Sequence, residues 1–385
     1  QMAKTQAGSK LLQRKLLKGH PSVIQEILEG LQTELPDIMC NMYGNYLCSA
    51  AFQSCSVSQR LRMLDITSHH LREVATDKWG THALQSLLSL VCTSEEQKLL
   101  LPSLQEHAIE LSCDQHGSHV VQRALMSFGS PCPDELLHEL VRTLRVVAHN
   151  PHGLCVIKRC ISQTRPGENQ TWLLQELSHH ALDLVQGPYS NYVIQHALEE
   201  WGAEVCLPII QALQGRLLQL AVQKFSSNVV EHILRLEPTE VQQKIVDELV
   251  IKDQAHTLMS TVYGQHVARQ LLKAVSSEHR GALESLFSSC LRSSRNQRLR
   301  EKWEGSFEKV GCAGDGALPF STPADDGPSE LRPLSTPSLL PAGAAAADVT
   351  GQGDVSPAGP KVATGRRRRA GRGAAAPLRG GASCR

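Results

Sequence analysis

The segment Tyr189-Ser-Asn-Tyr-Val-Ile-Gln-His-Ala-Leu198 returns 36 residues later as Phe225-Ser-Ser-Asn-Val-Val-Glu-His-Ile-Leu234. The five residues that begin at the third position of each segment recur eight times, at intervals of 36 to 38 residues. A period of this size is typical of a solenoid, a propeller or another repeat array. We call these stretches windows and number the repeats by them: Ser9–Gln13, Asn45–Ser49, Thr81–Gln85, Ser118–Gln122, Leu154–Lys158, Asn191–Gln195, Ser227–Glu231 and Gln265–Arg269.

Each window is predicted to lie on a helix. Its third and fourth residues are mostly aliphatic, whereas the first, second and fifth are mostly polar or planar. At about 100° per residue, the first, second and fifth share one face and the other two point away from it. A second amphipathic stretch lies between windows, as in Val23, Ile24, Ile27, Leu28 and Leu31. No period-two strand pattern recurs, so we predict an all-α solenoid rather than a propeller.

Residues at fixed distances from the windows predict the contacts between repeats. Two residues before the window, seven repeats carry Tyr, Trp, His or Phe, and seven residues after its start all eight carry Leu, Ile or Phe. We interpret both columns as core, because large side chains at a fixed place in a stacked repeat most often fill the joint. Gly precedes six windows and Ser precedes two, which is typical of a helix that starts after a tight turn.

Composition and motifs argue against several functions. Residues 1–303 carry 29 Lys or Arg against 30 Asp or Glu, which disfavours an unselective nucleic-acid binder. The 12 cysteines include no Cys-x-x-Cys pair, so we expect no metal and no cofactor. No apolar run reaches the roughly 18 residues of a membrane span. Metalloprotease, phosphate-loop and nucleophile-elbow motifs do not occur, so we predict that the chain is not an enzyme.

The second window position carries an aromatic side chain in five of the eight repeats. A ring exposed once per repeat can stack on a nucleobase, which contributes about 1–3 kcal/mol per base. The polar first and fifth residues can pair with the edge of that base, so that one repeat reads one base of single-stranded RNA. The candidate stacking residues are Lys10, Tyr46, His82, His119, Cys155, Tyr192, Asn228 and His266. The candidate base-edge residues are Ser9, Gln13, Asn45, Ser49, Thr81, Gln85, Ser118, Gln122, Asn191, Gln195, Ser227, Glu231, Gln265 and Arg269.

This pattern resembles the Pumilio (PUF) family of RNA-binding proteins over about residues 3–275. The resemblance implies a right-handed α-solenoid of eight Pumilio-type repeats, a crescent superhelix whose concave face binds RNA. It implies that the RNA runs antiparallel to the repeats, so that the last repeat meets the 5′-most base. It also implies that Asn with Gln reads uracil, Ser with Glu reads guanine, and Cys or Ser with Gln reads adenine.

Applied to single windows, the resemblance implies a base for five repeats. Asn191 and Gln195 read uracil, with Tyr192 stacking, and Ser227 and Glu231 read guanine. The pairs that favour adenine, or adenine and uracil in the last case, are Ser118 with Gln122, Ser9 with Gln13, and Thr81 with Gln85. The predicted site is 5′-N-G-U-N-A-(A/U)-N-A-3′, in which N marks a base left unassigned.

Three windows depart from the family pattern, and their bases stay open. Their first and fifth residues are Asn45 with Ser49, Leu154 with Lys158, and Gln265 with Arg269. The family has a uracil reader in the last of these repeats. Lys158 and Arg269 are also candidates for phosphate contacts, which position RNA without specifying a base.

We predict two regions along the chain. Residues 1–303 form the Pumilio homology domain, whose first repeat is expected to be truncated because Gln1 already lies inside its pattern. Residues 304–385 are rich in Gly, Ala and Pro and lack periodicity, so we expect a disordered tail. The basic run Arg366–Arg369 has three interpretations: a nuclear signal, a further phosphate contact or a solvated run.

Together these patterns predict a monomeric, sequence-specific binder of single-stranded RNA with a GU-containing site and no membrane partner. The family resemblance implies binding to mRNA 3′ untranslated regions in the cytoplasm, with repression through recruited deadenylase or translational repressor proteins. Two alternatives stay open. One is a nuclear or nucleolar Pumilio-like protein of ribosomal RNA processing, and the other is a helical-repeat scaffold that binds proteins.

Overall fold

The computed structural model describes residues 1–91, 93–128, 134–236, 240–249, 252–275, 277–294, 297–301 and 303. All of them belong to the first of two units, Gln1–Ser329 and Glu330–Arg385. The predicted tail, 304–385, and its arginine run lie outside the described residues.

Helices follow one another along the whole described chain, and no strand occurs in these ranges. After a 3-10 helix, Met2–Lys4, they are α1 (Gln6–Lys18), α2 (Pro21–Gln32), α3 (Leu35–Met39), α4 (Gly44–Ser54), α5 (Val57–Ser68), α6 (Leu71–Thr76), α7 (Gly80–Leu88), α8 (Ser94–Glu106), α9 (Ala108–Cys113), α10 (Gly117–Ser127), α11 (Asp134–Arg142), α12 (Leu144–Ala148), α13 (Gly153–Gln163), α14 (Glu168–His179), α15 (Ala181–Leu184), α16 (Asn191–Val205), α17 (Leu207–Leu213), α18 (Leu217–Ala221), α19 (Ser226–Arg235), α20 (Glu240–Leu249), α21 (Lys252–Ser260), α22 (Gly264–Ala274) and α23 (Ser277–Ser293).

Every third helix carries a window, so the repeat consists of a window helix, a second helix and a short helix. The window helices are α1, α4, α7, α10, α13, α16, α19 and α22. Each packs against the next window helix along the chain, and the second helices pack in the same order from α2 to α17. Stacking of like helices on like helices confirms the predicted all-α repeat fold.

The core lies between the repeats, as the aliphatic window positions predict. The third and fourth residues are fully buried in windows two to eight, and the large residue seven positions after the window start is buried in all eight repeats. The first window is the exception, since Leu11 is 44% exposed. The ring two residues before the window is half-buried in the seven repeats that carry one, and Tyr189 packs against the buried core residues. Trp79 also lies beneath the Lys78 ammonium group at 4.8 Å.

The glycine before the window is required by a close approach and not by its backbone angles. A Cβ atom on Gly153 would lie 2.2 Å from the carbonyl oxygen of Val147, in the preceding short helix. The corresponding distance at Gly44 is 2.3 Å, from the oxygen of Ile38. Neither glycine has a positive φ, so both could otherwise accept a side chain.

Serine replaces this glycine in repeats six and seven and bonds to the same carbonyl. Ser190 Oγ donates to the oxygen of Leu184, and Ser226 Oγ donates to the oxygen of Leu220, both at 2.7 Å. The carbonyl six residues before this glycine or serine therefore either lies against a glycine or accepts a hydrogen bond from a serine hydroxyl.

Replacement of Gly153 by Ala is expected to destabilise the protein by about 1–3 kcal/mol, the range for overpacking a tight contact. Gly30 is the matched control, because it lies inside α2 and a Cβ there would have no neighbour within 4 Å. Gly30→Ala should gain about 0.5–1 kcal/mol through helix propensity. Chemical denaturation of both variants checks the result. Equal unfolding free energies would show that the close approach to Val147 has no energetic consequence.

Two ion pairs join successive repeats, one of them buried and the other exposed. Arg60 of α5 donates through Nε to Glu96 of α8 at 2.5 Å, and the Glu96 side chain is 0% exposed. The second carboxylate oxygen of Glu96 accepts from the Thr93 backbone amide and hydroxyl, both at 3.0 Å, in a capping box at the start of α8. In contrast, Arg72 and Glu110 pair at 2.7 Å with about half of each side chain exposed.

Candidate nucleic-acid interface

A polar cap fixes the start of most window helices. Four residues before the window, the side-chain oxygens of Asn41, Asp77, Asp114 and Asn150 each accept from the backbone amides of the residues two and three positions later, at 2.7 to 3.1 Å. These bonds satisfy amides that a helix start leaves unpaired. Sequence reasoning missed this column, although its Asn and Asp residues recur at the repeat period.

The first residue of each window is buried, between 0% exposed for Asn191 and 7% for Gln265. The helical wheel predicts this first residue on the surface, together with the second and fifth residues. It lies deeper because the next repeat covers it. Ser9 Oγ donates to the Tyr43 carbonyl at 2.8 Å, and Thr81 Oγ1 donates to the His116 carbonyl at 3.1 Å. The face therefore consists of exposed or half-buried second and fifth residues over a buried first residue.

In three windows the side chain of the fifth residue donates to the side chain of the first. The amide nitrogen of Gln195 donates to Asn191 Oδ1 at 2.8 Å, while Asn191 Nδ2 donates to the carbonyls of Gly187 and Pro188. The other two pairs are Gln13 to Ser9 Oγ at 2.9 Å and Gln85 to Thr81 Oγ1 at 3.1 Å. These bonds orient the side chains that are the candidate base readers.

Repeat seven presents a carboxylate instead of an amide. Glu231 accepts from Arg235 Nη2 at 3.1 Å, and Ser227 Oγ donates to the carbonyl of Lys224 at 3.4 Å. Burial raises the pKa of the Glu231 carboxyl above its usual value, and Arg235 and Arg269 oppose this shift. The carboxylate can accept two hydrogen bonds, whereas the glutamine of repeat six accepts at one atom and donates at the other.

Five of the eight second window residues are rings. Tyr46 is 52% exposed, and Tyr192 is half-buried. Burial, and then the neighbouring His116, lower the pKa of His82; burial also leads the lowering of the pKa of His119. Both imidazoles are therefore favoured as neutral, flat rings, the form that stacks on a base without carrying a charge.

The three irregular windows differ from one another in structure. In repeat two, Ser49 Oγ donates to the Asn45 backbone carbonyl at 3.1 Å. In repeat five, Leu154 is 4% exposed and offers no hydrogen bond, while Lys158 is half-buried. In repeat eight, Gln265 and Arg269 make no bond to each other within the described residues, and the guanidinium lies over the ring of Trp303.

Within the described residues, no group of three or more His, Cys, Asp or Glu side chains could hold a metal ion. None of the helices in those ranges is long and apolar enough to span a membrane.

An all-α repeat array with one polar window per repeat is the architecture of a helical-repeat recognition protein. Solved structures share it. The Puf4 RNA-binding domain, bound to a recognition sequence from the HO endonuclease RNA 3′ untranslated region, matches with a TM-score of 0.72 and 25% identity, over 79% of this chain and 97% of that one. The RNA-binding domain of yeast Puf5p bound to SMX2 RNA has a TM-score of 0.70 at 20% identity, over 80% and 95% of the two chains, which shows the fold alone.

The family model for the Pumilio-family RNA binding repeat matches residues 70–101, 107–141, 146–178, 180–213 and 216–250, which contain windows three to seven. Pumilio homolog 11 of Arabidopsis thaliana is 31% identical over 270 residues, 69% of this chain and 48% of the relative. A Pumilio domain-containing protein of Schizosaccharomyces pombe is 28% identical over 280 residues, 73% of this chain and 41% of the relative. The chain thus spans less than half the length of these relatives.

The chain belongs to the Pumilio family of RNA-binding repeat proteins. This membership confirms the predicted family and the prediction that the chain is not an enzyme. Windows one, two and eight lie outside the five matched segments. The base assignments of all five assigned windows stay predictions.

Proposed function

We propose that this protein binds single-stranded RNA with sequence selectivity, reading one base with each regular window. The observation that carries the proposal is the contrast between windows six and seven. Both lie at the start of a window helix and present rings or amides on the same side, yet one offers a carboxamide pair and the other a hydroxyl and a carboxylate. Base-by-base recognition requires repeats with equivalent helices whose hydrogen-bonding side chains differ from one repeat to the next.

The hydrogen-bonding groups of these two windows match two bases. Guanine presents two adjacent donors, N1–H and N2–H, and the Glu231 carboxylate can accept from both. Uracil presents a donor flanked by two acceptors, and the carboxamide of Gln195 can both donate and accept, while Asn191 offers its oxygen. These matches support a guanine followed by a uracil near the 5′ end of the site.

Selectivity through base edges also fits the charge of the repeats. Residues 1–303 have nearly equal numbers of acidic and basic side chains, so phosphate attraction supplies little of the affinity. In repeat five, Leu154 cannot hydrogen-bond to a base and the Lys158 ammonium group can pair with a phosphate. We therefore assign repeat five to holding the backbone without selecting a base.

The proposed cellular role is regulation of mRNA through 3′ untranslated regions. In the matched structure, the Puf4 domain is bound to such a sequence. We assign this role to a monomer in the cytoplasm. Because the protein belongs to a family of binding repeats and not of enzymes, it would act on mRNA by recruiting deadenylase or translational repressor proteins.

Selection from a random RNA pool tests the proposal. We expect enrichment of a short motif with G followed by U and with A-rich positions downstream. The Lys158→Leu variant should weaken binding to all selected RNAs equally, because a phosphate contact is independent of the base. Bound RNA without a common motif would favour the ribosomal RNA alternative. No retained RNA at low salt would favour the protein-binding scaffold and contradict the proposal.

A further inference from the structure

The first window helix, α1, carries a stripe of positive charge that begins inside its own window. Lys10, Arg14 and Lys18 recur every four residues, and side chains with this spacing lie next to one another on one side of a helix. All three are exposed, and so is Lys15 beside them. The 13 residues of α1 include no Asp or Glu. We call Lys10, Arg14 and Lys18 the α1 stripe.

This concentration of charge is an exception in an array that is nearly neutral. The other seven window helices carry two Lys or Arg residues at most, a number reached in α13 and α22. The neighbouring window helix α4, which packs against α1, has no charged side chain. Within the described residues, no member of the α1 stripe forms an ion pair. The positive charge of the stripe is therefore available to an anion that approaches from solvent.

The α1 stripe starts on the face that is proposed to bind RNA and leads away from it. Lys10 is the second window residue and directly follows Ser9, whose hydroxyl accepts from the Gln13 amide at 2.9 Å. At about 100° per residue, each later member of the stripe lies about 40° further from that face. Leu11 lies on the same side of α1 as Lys18 and is 44% exposed, so this side is open among the described residues. An RNA strand that leaves repeat one can therefore follow the stripe.

We infer that the α1 stripe binds the phosphates of the nucleotides that directly follow, on the 3′ side, the base read by repeat one. This inference rests on the proposed function, with repeat one at the 3′-most base of the site. Lysine and arginine side chains donate hydrogen bonds and accept none, so they suit phosphate oxygens, and such contacts do not distinguish one base from another. The stripe extends about 12 Å along the helix axis, at about 1.5 Å per residue, so it can contact more than one phosphate.

An acidic protein segment is the other anion that fits a row of cations, but the position of the stripe favours RNA. Lys10 occupies the window position that carries a ring in five repeats, so RNA bound at repeat one already lies beside the stripe. Leu17 lies seven residues after Lys10 on the same face and is 67% exposed, which offers an apolar surface to a base or ribose beyond the window. A protein segment would have to displace this RNA to reach Lys10.

The test compares a core RNA, 5′-CGUCAACA-3′, with the same RNA extended at its 3′ end by four uridines or by four adenosines. Both extended RNAs are expected to bind more tightly than the core RNA, and by the same factor. Each phosphate contact on a single strand contributes about 0.7 to the slope of log affinity against log salt, so three contacts should steepen the slope by about 2. A fourfold reduction in salt should then strengthen binding of the extended RNAs by about 16-fold more than binding of the core RNA.

A double variant and a matched control assign this effect to the stripe. Arg14→Gln combined with Lys18→Gln leaves one member of the stripe, so the additional slope should fall to about 0.7, while affinity for the core RNA should equal that of the control. The control is Arg62→Gln combined with Lys98→Gln, which removes the same charge from exposed positions on α5 and α8. It should retain the full additional slope of wild-type protein.

Each contrary outcome has one meaning. Equal affinities and salt slopes for core and extended RNAs, with guanine still preferred over cytosine at the second base, would overturn the inference alone and favour an acidic protein segment as the ligand of the stripe. An equal loss of slope in the control variant would show attraction by net charge and overturn it too. A gain with only one of the two extensions would show base recognition in place of phosphate contacts. No discrimination at the second base would instead contradict the proposed function.

Discussion

Exchanging Ser227 for Asn and Glu231 for Gln is expected to move the preference of repeat seven from guanine to uracil. The double change gives repeat seven the same reading pair as repeat six, on a helix whose start differs by only one residue relative to the window. Guanine then loses the carboxylate that accepts from its N1–H and N2–H groups. Because a good bidentate contact discriminates by about 1–3 kcal/mol, the reversal between the two bases should approach 100-fold or more.

Affinities for the four second-base variants of one RNA measure this switch. Unchanged discrimination among the four bases in the double variant would show that Ser227 and Glu231 do not read the second base. The pH dependence supplies an independent check. Burial raises the pKa of Glu231, so guanine recognition by the carboxylate should weaken on acidification at a higher pH than for an ordinary glutamate. The double variant lacks this carboxylate, and its uracil binding should not follow that titration.

Removal of the Glu96 carboxylate is expected to cause the largest loss of stability. Glu96→Ala removes the buried carboxylate to which Arg60, whose side chain is 10% exposed, donates, and also the acceptor of the Thr93 amide and hydroxyl. Breaking a buried ion pair from one side costs about 3–5 kcal/mol. Glu110→Ala breaks the exposed pair that also joins two successive repeats, and surface pairs contribute about 0–1 kcal/mol. Denaturant unfolding of the two variants under one condition measures the difference.

A third variant separates lost attraction from uncompensated charge. Arg60→Met combined with Glu96→Leu removes both charges and fills the space with apolar atoms, so it should recover the stability that Glu96→Ala loses through the charge, but not the part lost with the capping box at Thr93. If Glu96→Ala and Glu110→Ala unfold at the same denaturant concentration, the buried pair does not contribute more than the exposed one.

The fold was predictable because the signal was periodic. Aliphatic pairs such as Val193 and Ile194 recur at the repeat spacing and are fully buried, as an inter-repeat core requires. The depth of the first window residue was not predictable from a single helical wheel. Ser9 is buried because the backbone of Tyr43, in the next repeat, covers it. Likewise, no pattern within window eight indicates that Trp303, 34 residues beyond Arg269, orients the guanidinium.

The hydrogen bond between Gln195 and Asn191 also affects how much affinity window six loses when the base is mismatched. When a mismatched base occupies that repeat, the two side chains can keep their hydrogen bond to each other. The mismatch then loses the contact with the base but leaves no polar group without a partner. Window eight has no such fallback, because the Gln265 oxygen has no donor within the described chain. We therefore expect repeat six to tolerate a mismatched base better than repeat eight, so that natural targets vary more at the base opposite repeat six than at the 5′-most base.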